Sequence, residues 1–331
     1  MKKSMRSFLM SVCVCLSLVM VILSAQARAE YPERLITMYV SYAAGGPVDM
    51  TTRTIAPIAE KILGQRIVVE NKPGGGGTVA LALLANAKPD GYTLCGATHG
   101  GIVRQPQAQK MTFKPLKSFT PLIAYAAVQN SIVVKKEAPW KTLSDLVAYA
   151  KKNPNKIKYS TGGVGTGMHH AMVVIEYKEG IKWIHVPYKG NADAMTALMG
   201  AHVDVCSGGP EVYPLERSGV LKILAIAETK KNPKYPNVPT MKELGYDFAN
   251  DSFFNIIAPA GLPPDIAEKL ESAFAKAAES KEMTALLDRL DMLPVLYVGK
   301  AYDDLIKSTW FETEKSLKET GLVKEPATSP Y

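Results

Sequence analysis

Five histidines carry the side chains best suited to moving a proton or binding a metal near neutral pH: His99, His169, His170, His185 and His202. Their spacing supports neither task. No pair has the H-E-x-x-H arrangement, and none combines with the cysteines at a zinc-binding spacing. His169 and His170 are adjacent, so on a helix they point about 100° apart and cannot chelate together. Such residues are more often packed or hydrogen-bonded than catalytic.

The glycine-rich stretches fail the nucleotide tests. Gly74-Gly75-Gly76-Gly77 is followed by Thr78-Val79, without the Lys and hydroxyl of a P-loop. Gly163, Gly165 and Gly167 lack the G-x-G-x-x-G spacing. No G-x-S-x-G nucleophile elbow is present. The expectation is a protein that is no enzyme, with no catalytic residue, metal or cofactor.

What remains is a set of small and hydroxyl-bearing turns. The first runs Tyr42-Ala43-Ala44-Gly45-Gly46-Pro47-Val48-Asp49. Others are Thr98-His99-Gly100-Gly101, Ser160-Thr161-Gly162-Gly163-Val164-Gly165-Thr166, and Ser207-Gly208-Gly209-Pro210. Small residues let a ligand approach the backbone. The first N–H groups of a helix lack intrahelical partners and sit at the positive end of its dipole, which favours an anion. The turns carry no Arg or Lys. They suit a carboxylate held by neutral donors better than a multiply charged phosphate. Taken alone, the first turn is more simply an ordinary strand-to-helix turn with Asp49 as N-cap. Asp49 has two further readings: ordering a water, or meeting a donor on the ligand.

The elements that must position these turns follow from periodicity. Residues 35–40 read as a strand, and Ile55, Ile58, Ile62 and Leu63 share one face of a following helix. Strands at 67–69 and 92–95 flank a helix at 78–87, giving β-α-β-α-β and a parallel sheet. Residues 122–134 hold two β-prone runs joined through Gln129-Asn130, which suits a crossing into a second domain. There the pattern recurs: a helix at 143–151, a strand at 157–159, the turn at 160–166 and a helix at 168–177. A strand at 184–186, a helix at 192–199 and a strand at 203–206 follow. A strand at 221–227 is read as returning the chain to the first domain. A strand near 253–258 and helices around 266–280, 283–290 and 302–320 complete it. The expected fold is α/β: one lobe at 30–127 and 228–331, a second lobe at 128–227 inserted into it, and a cleft between. In open α/β sheets ligands bind beyond the carboxyl ends of the strands. The turns holding Tyr42, Thr98, Thr161 and Ser207 all meet that rule, from both lobes.

Bulk composition agrees. Of 331 residues, 47% are hydrophobic and 21% charged, as in a folded globular protein. Lys2, Lys3 and Arg6 precede an apolar run at 8–23, and Ala27-Arg28-Ala29 supplies a small-x-small cleavage pattern. Residues 1–29 therefore read as a secretory signal peptide, and the chain as an exported one. That segment carries four of the 39 basic residues and none of the 31 acidic ones, so the formal charge of +8 falls to +4. Nothing in that balance calls for nucleic acid. Cys95 and Cys206 remain. An exported protein permits a disulfide, but their places at the ends of separate strands favour free thiols.

The chain from about 31 to 322 resembles the solute-binding receptors of tripartite tricarboxylate transporters, also called Bug receptors. The residues that carry the resemblance include Tyr31-Pro32, Ala43-x-Gly45-Gly46-x-x-Asp49, and Gly64-Gln65-x-Ile67-Val68-Val69-Glu70-Asn71-Lys72-Pro73-Gly74. Further matches are Pro89-Asp90-Gly91-Tyr92-Thr93-Leu94, Gly165-Thr166-x-x-His169, His185-Val186-Pro187-Tyr188-Lys189-Gly190 and Ala258-Pro259-Ala260-Gly261. The chain departs from the usual pattern at Ala44, where Pro is frequent, and at Tyr42, where Phe is frequent.

The resemblance implies a periplasmic, monomeric receptor with the type II binding-protein fold. It would close on a small organic carboxylate and deliver it to a two-component membrane permease. The carboxylate would be held by Tyr42, Ala43, Gly46 and Asp49, with Thr161, Gly165, Thr166 and His169 from the second lobe. Ala44, Thr98, His99 and Ser207 join them as turn residues. Presentation of the ligand to a sensor kinase would use the same closed shape. A secreted hydrolase or isomerase on a similar scaffold is the rival class.

Overall fold

The computed structural model describes residues 31–188 and 190–331. The expected signal peptide, 1–29, lies outside the described residues, as does Lys189 of the 185–190 motif. Among the described residues no helix is long and apolar enough to cross a membrane.

The first unit opens with β1 (Ile36–Val40), whose Ile36, Met38 and Val40 alternate into the core. Helix α1 (Pro47–Leu63) follows. Pro47 presets its first turn, and Gly64, in the left-handed region, closes it by donating to the Glu60 carbonyl. β2 (Ile67–Asn71) and, beyond a tight turn at Gly75–Gly77, α2 (Thr78–Ala85) lead to β3 (Thr93–Thr98). Residues 98–101, expected as a turn, open a short helix instead. Thr98 is the N-cap of α3 (His99–Val103), and α4 (Gln105–Ala108) continues from it. β4 (Phe119–Val128) then runs to the first crossing.

The second unit holds β5 (Ser131–Lys135), α5 (Leu143–Lys152), β6 (Lys158–Thr161), α6 (Gly167–Glu179), β7 (Ile184–Pro187) and α7 (Asn191–Met199). β8 (Val205–Gly208), α8 (Val212–Arg217) and β9 (Leu221–Ile226) finish it. The chain returns through β10 (Ser252–Pro259), α9 (Pro264–Ala278), α10 (Lys281–Arg289), β11 (Leu293–Val298) and α11 (Lys300–Glu319).

Two mixed sheets result, ordered β11-β4-β10-β3-β1-β2 and β7-β6-β8-β5-β9. β1 pairs in parallel with β2 and β3, and β6 with β7 and β8. β10 is antiparallel to β3 and β4, and β5 to β8 and β9. Each sheet is covered on both faces. Met38 and Leu94 pack with Ile55 and Phe274 on one side of the first sheet; Cys95 and Ala97 pack with Leu81 and Trp310 on the other. In the second sheet Val205 packs with Leu146 and Ile175, and Cys206 with Leu198 and Tyr213. This two-lobe α/β architecture is the one expected. Cys95 and Cys206 are buried free thiols.

Two details differ from the sequence reading. β9 stays in the second sheet as its edge beside β5, and Tyr235, Met241, Tyr246 and Phe248 pack on that sheet's cores. The chain re-enters the first sheet only at Ser252. β11 was not expected. Pro294 argues against a strand interior, but β11 lies at the sheet edge, where a missing N–H costs nothing.

The first crossing is tied to the end of β9, and that end to the return crossing, where the Asn250 N–H donates to the Ala227 carbonyl at 2.8 Å. Asn130 donates its backbone N–H and its Nδ2 to the Glu228 carboxyl, and the Ala227 N–H donates to the Asn130 carbonyl at 2.9 Å.

Candidate site at the cleft

The first turn owes its shape to Asp49. Its Oδ2 accepts from the Gly45 N–H at 2.9 Å; its Oδ1 accepts from Arg53 Nε and Asn71 Nδ2, each at 2.8 Å. Asn71 also donates to the Tyr42 carbonyl at 3.0 Å. Burial pushes the Asp49 carboxyl up, but the Gly45 N–H, Asn71 and Arg53 outweigh it and hold it below its ordinary range. Asp49 is not the N-cap. Gly46 occupies that position with no side-chain cap. Asp49 stands in the first helical turn, where its charge also complements the dipole. Ala43 and Ala44 are exposed, and Gly46 is half-buried. Tyr42 spans the floor: its hydroxyl donates to the Gly76 carbonyl at 2.9 Å and lies 3.4 Å from Thr98 Oγ1.

The second turn ends at the N-terminus of α6. Thr166 caps that helix, its Oγ1 accepting from the His169 N–H at 3.2 Å and donating to the Gly163 carbonyl at 2.8 Å. The Gly165 N–H donates to His169 Nδ1 at 3.2 Å. The His169 ring stacks on His185 with centroids 4.2 Å apart, and Thr161 Oγ1 lies 2.8 Å from His185 Nε2. Burial, and then the His169 charge, push the His185 imidazole down to about 4. Burial lowers His169 too. Both rings are therefore neutral at neutral pH and act as hydrogen-bonding partners, not as a cationic clamp. Ser207 is fully buried, and its hydroxyl has no partner among the described residues.

His99 is placed elsewhere. Its Nε2 lies 2.6 Å from Thr309 Oγ1 and its Nδ1 3.4 Å from the Tyr302 hydroxyl, with Phe253 against the ring. Both nitrogens are spent in the first lobe between α3 and α11. Burial, then the Arg104 charge, push it down to about 3.

The two lobes meet at these turns. A Cβ on Gly165 would sit 3.1 Å from the Ala108 Cβ and 3.5 Å from Gln105 Oε1. Gln105 is buried and is itself pressed against Gly76. No spacing in the sequence singles it out. Asn191 was also missed. It lies so close to the turns that a Cβ on Gly162 would fall 2.1 Å from its Oδ1, and one on Gly209 2.7 Å from its Nδ2. Beside it, Glu211 Oε1 accepts from the Gly209 N–H at 2.7 Å, and burial pushes that carboxyl up. Among the described residues no group of three His, Cys, Asp or Glu is placed to hold a metal.

The arrangement thus offers two helix N-termini, one from each lobe, with small residues and neutral donors around them. A family model described as "Tripartite tricarboxylate transporter family receptor" matches residues 51–322. The chain is 36% identical over 301 residues to a Cupriavidus necator protein described as "UPF0065 protein in gbd 5'region", covering 91% of this chain and 92% of that one. Among solved structures, the periplasmic binding protein BugD superposes with a TM-score of 0.80 at 30% identity, over 88% of this chain and 99% of its own. MatC from Rhodopseudomonas palustris with bound malate superposes with a TM-score of 0.78 at 28% identity, over 87% and 100%.

Proposed function

This chain belongs to the tripartite tricarboxylate transporter receptor family, and from that membership we propose that it captures a small organic carboxylate between its lobes and delivers it to a two-component membrane permease. The lobes are those built on the two sheets, the second taking in residues 131–248, with hinges at 129–130 and 249–251. The observation that carries the reading is the pairing of the α1 and α6 N-termini. Each follows a strand of a different sheet, and each is preceded by a turn free of basic side chains. The amides of Val48 and Asp49 on one side, and of Gly167 and Met168 on the other, fall in first helical turns that have no intrahelical acceptors.

A carboxylate bridging these amides contacts both lobes only when they are closed. It shifts the hinge equilibrium by its differential affinity, without covalent chemistry. The malate held by the R. palustris relative supports a dicarboxylate of that size as the first ligand to try. The permease would engage the closed form on the periplasmic side.

The test is calorimetric titration with malate and with its diamide, followed by recovery of the bound compound after denaturation. Carboxylate binding with the compound returned unchanged is expected. Preference for the diamide contradicts the site, and recovery of a converted product contradicts a receptor role.

A further inference from the structure

His170 follows His169 on α6 but serves no part of the ligand turns. It is 1% exposed, and both ring nitrogens face groups from the opposite lobe. Arg104 Nη1 donates to Nδ1 at 2.6 Å. On the far side, Ser316 Oγ and Thr320 Oγ1 lie 3.3 and 3.4 Å from Nε2. α6 packs its Ala171, Met172 and Ile175 into the second sheet's core. Arg104 follows Ile102 and Val103, which pack on the first sheet, and α11 anchors there through Trp310. Arg104 is itself 7% exposed, and its Nη2 donates to Asn250 Oδ1 at 3.1 Å, on the return crossing. One imidazole of the second lobe is thus gripped on two edges by the first lobe, and a buried guanidinium donates to two neutral acceptors.

We propose that Arg104 and His170 form a latch between the lobes that holds the closed receptor and is released by protonation of His170. The two are positioning residues for closure. The proposal rests on the two-lobe closure reading above.

The chemistry is set by donor and acceptor counting. An arginine only donates, so Nδ1 must be unprotonated to accept from it, and Nε2–H is then free to donate to Ser316 or Thr320. Protonating Nδ1 removes the acceptor and places two cations together away from water. Opening exposes the ring and returns it to an ordinary value of about 6.5. In the arrangement seen, with Arg104, Ser316 and Thr320 around the ring, burial and next the Arg104 charge push His170 down to about 2. The closed value lies below the open one. The latch is therefore at full strength above pH about 6.5 and weakens as pH falls beneath it.

Other charged groups face the same space. On its own helix His169, which burial lowers, adds to the push against a charged His170. From the second lobe come Lys242 and Asp247, and from the return crossing Asp251; from α11 come Glu312, Lys315 and Glu319. Together with Arg104 and His170 these line a cavity of about 310 Å³. The four carboxylates favour a protonated ring and the two lysines oppose it. The direct contacts and the burial outweigh them.

The test uses ligand-free protein carrying spin labels at two exposed sites, Leu83→Cys on α2 and Tyr177→Cys on α6. The protein is taken without residues 1–29, which hold Cys13 and Cys15; Cys95 and Cys206 are buried and do not take label. The closed-to-open ratio is read from the inter-label distance distribution at pH 7.5 and 5.5. A single group with an open value of 6.5 predicts a fall of about tenfold. His170→Asn, whose Oδ1 takes the place of Nδ1 and still accepts from Arg104 but does not titrate, should show no pH change. Should that variant fail to fold, Arg104→Gln is expected to lower the closed fraction already at pH 7.5. A distribution unchanged with pH, the same pH response in His170→Asn, or an undiminished closed fraction in Arg104→Gln overturns the latch. Because no ligand is present, a failed carboxylate screen would sink the functional reading and leave this result standing on its own.

Discussion

Asn130 gives both of its donors to one carboxyl group: its N–H lies 2.8 Å from Glu228 Oε2 and its Nδ2 2.6 Å from Glu228 Oε1. Asn130 lies on the first crossing and Glu228 just beyond β9, so the pair fixes that crossing against the second lobe. Glu228 is 4% exposed, and burial pushes its carboxyl well above the usual range despite the Asn130 hydrogen bonds. With the folded value above the unfolded one, its contribution is full below pH about 4.5 and declines as pH rises towards the folded value. Glu228→Gln should therefore gain stability relative to the parent between pH 5 and pH 8. Glu228→Ala strands two buried donors and should cost about 2–4 kcal/mol. Urea unfolding at the two pH values checks both.

Asp49 shapes the first turn through three hydrogen bonds, and its carboxyl is held low. Its stabilisation is present above pH about 3.8 and is lost as pH falls through the lower folded value. Asp49→Ala should cost about 2–3 kcal/mol and weaken ligand binding at least tenfold by releasing the Gly45 turn. Acid unfolding followed by circular dichroism should show a shallower acid limb in the variant.

Gly46 has an ordinary extended backbone, and a Cβ there would meet only the Ala43 carbonyl oxygen at 3.5 Å. Gly46→Leu should fold with stability within about 1 kcal/mol of the parent and lose ligand binding, because the side chain fills the space over the α1 N-terminus. Binding retained in this variant would mean that the ligand sits elsewhere.

Thr166 caps α6 through the His169 N–H. Thr166→Val removes the cap at nearly constant volume. It should cost about 1 kcal/mol of stability and a larger share of ligand affinity, read by thermal unfolding with and without ligand.

Much of the architecture was legible because the elements have strong periods. The alternation of Ile36, Met38 and Val40, and the Ile55 face of α1, specify strand and helix without tertiary help. β11 was hidden by Pro294, since only its position at the sheet edge makes that proline harmless. Residues 228–248, expected in the first lobe, carry no period that ties them to either sheet; the packing of Tyr235, Met241, Tyr246 and Phe248 sets them against the second. In the candidate site the turns of Tyr42 and Thr166 stand out by composition. Gln105, Asn191 and the Arg104–His170 pair do not, because each acquires its meaning from a partner far away in the chain. His99 looked like a turn residue and is instead a capped, buried ring, since Thr98 starts a helix there.

The central claim is that the paired helix N-termini hold a carboxylate. Its most direct test is thermal unfolding of the protein against a panel of mono-, di- and tricarboxylates and the matching amides. A carboxylate present at 100 times its dissociation constant should stabilise the fold by about 2.7 kcal/mol, with its amide giving far less, and the gain should vanish in Gly46→Leu. Stabilisation by amides or sugars with none by any carboxylate would contradict the account.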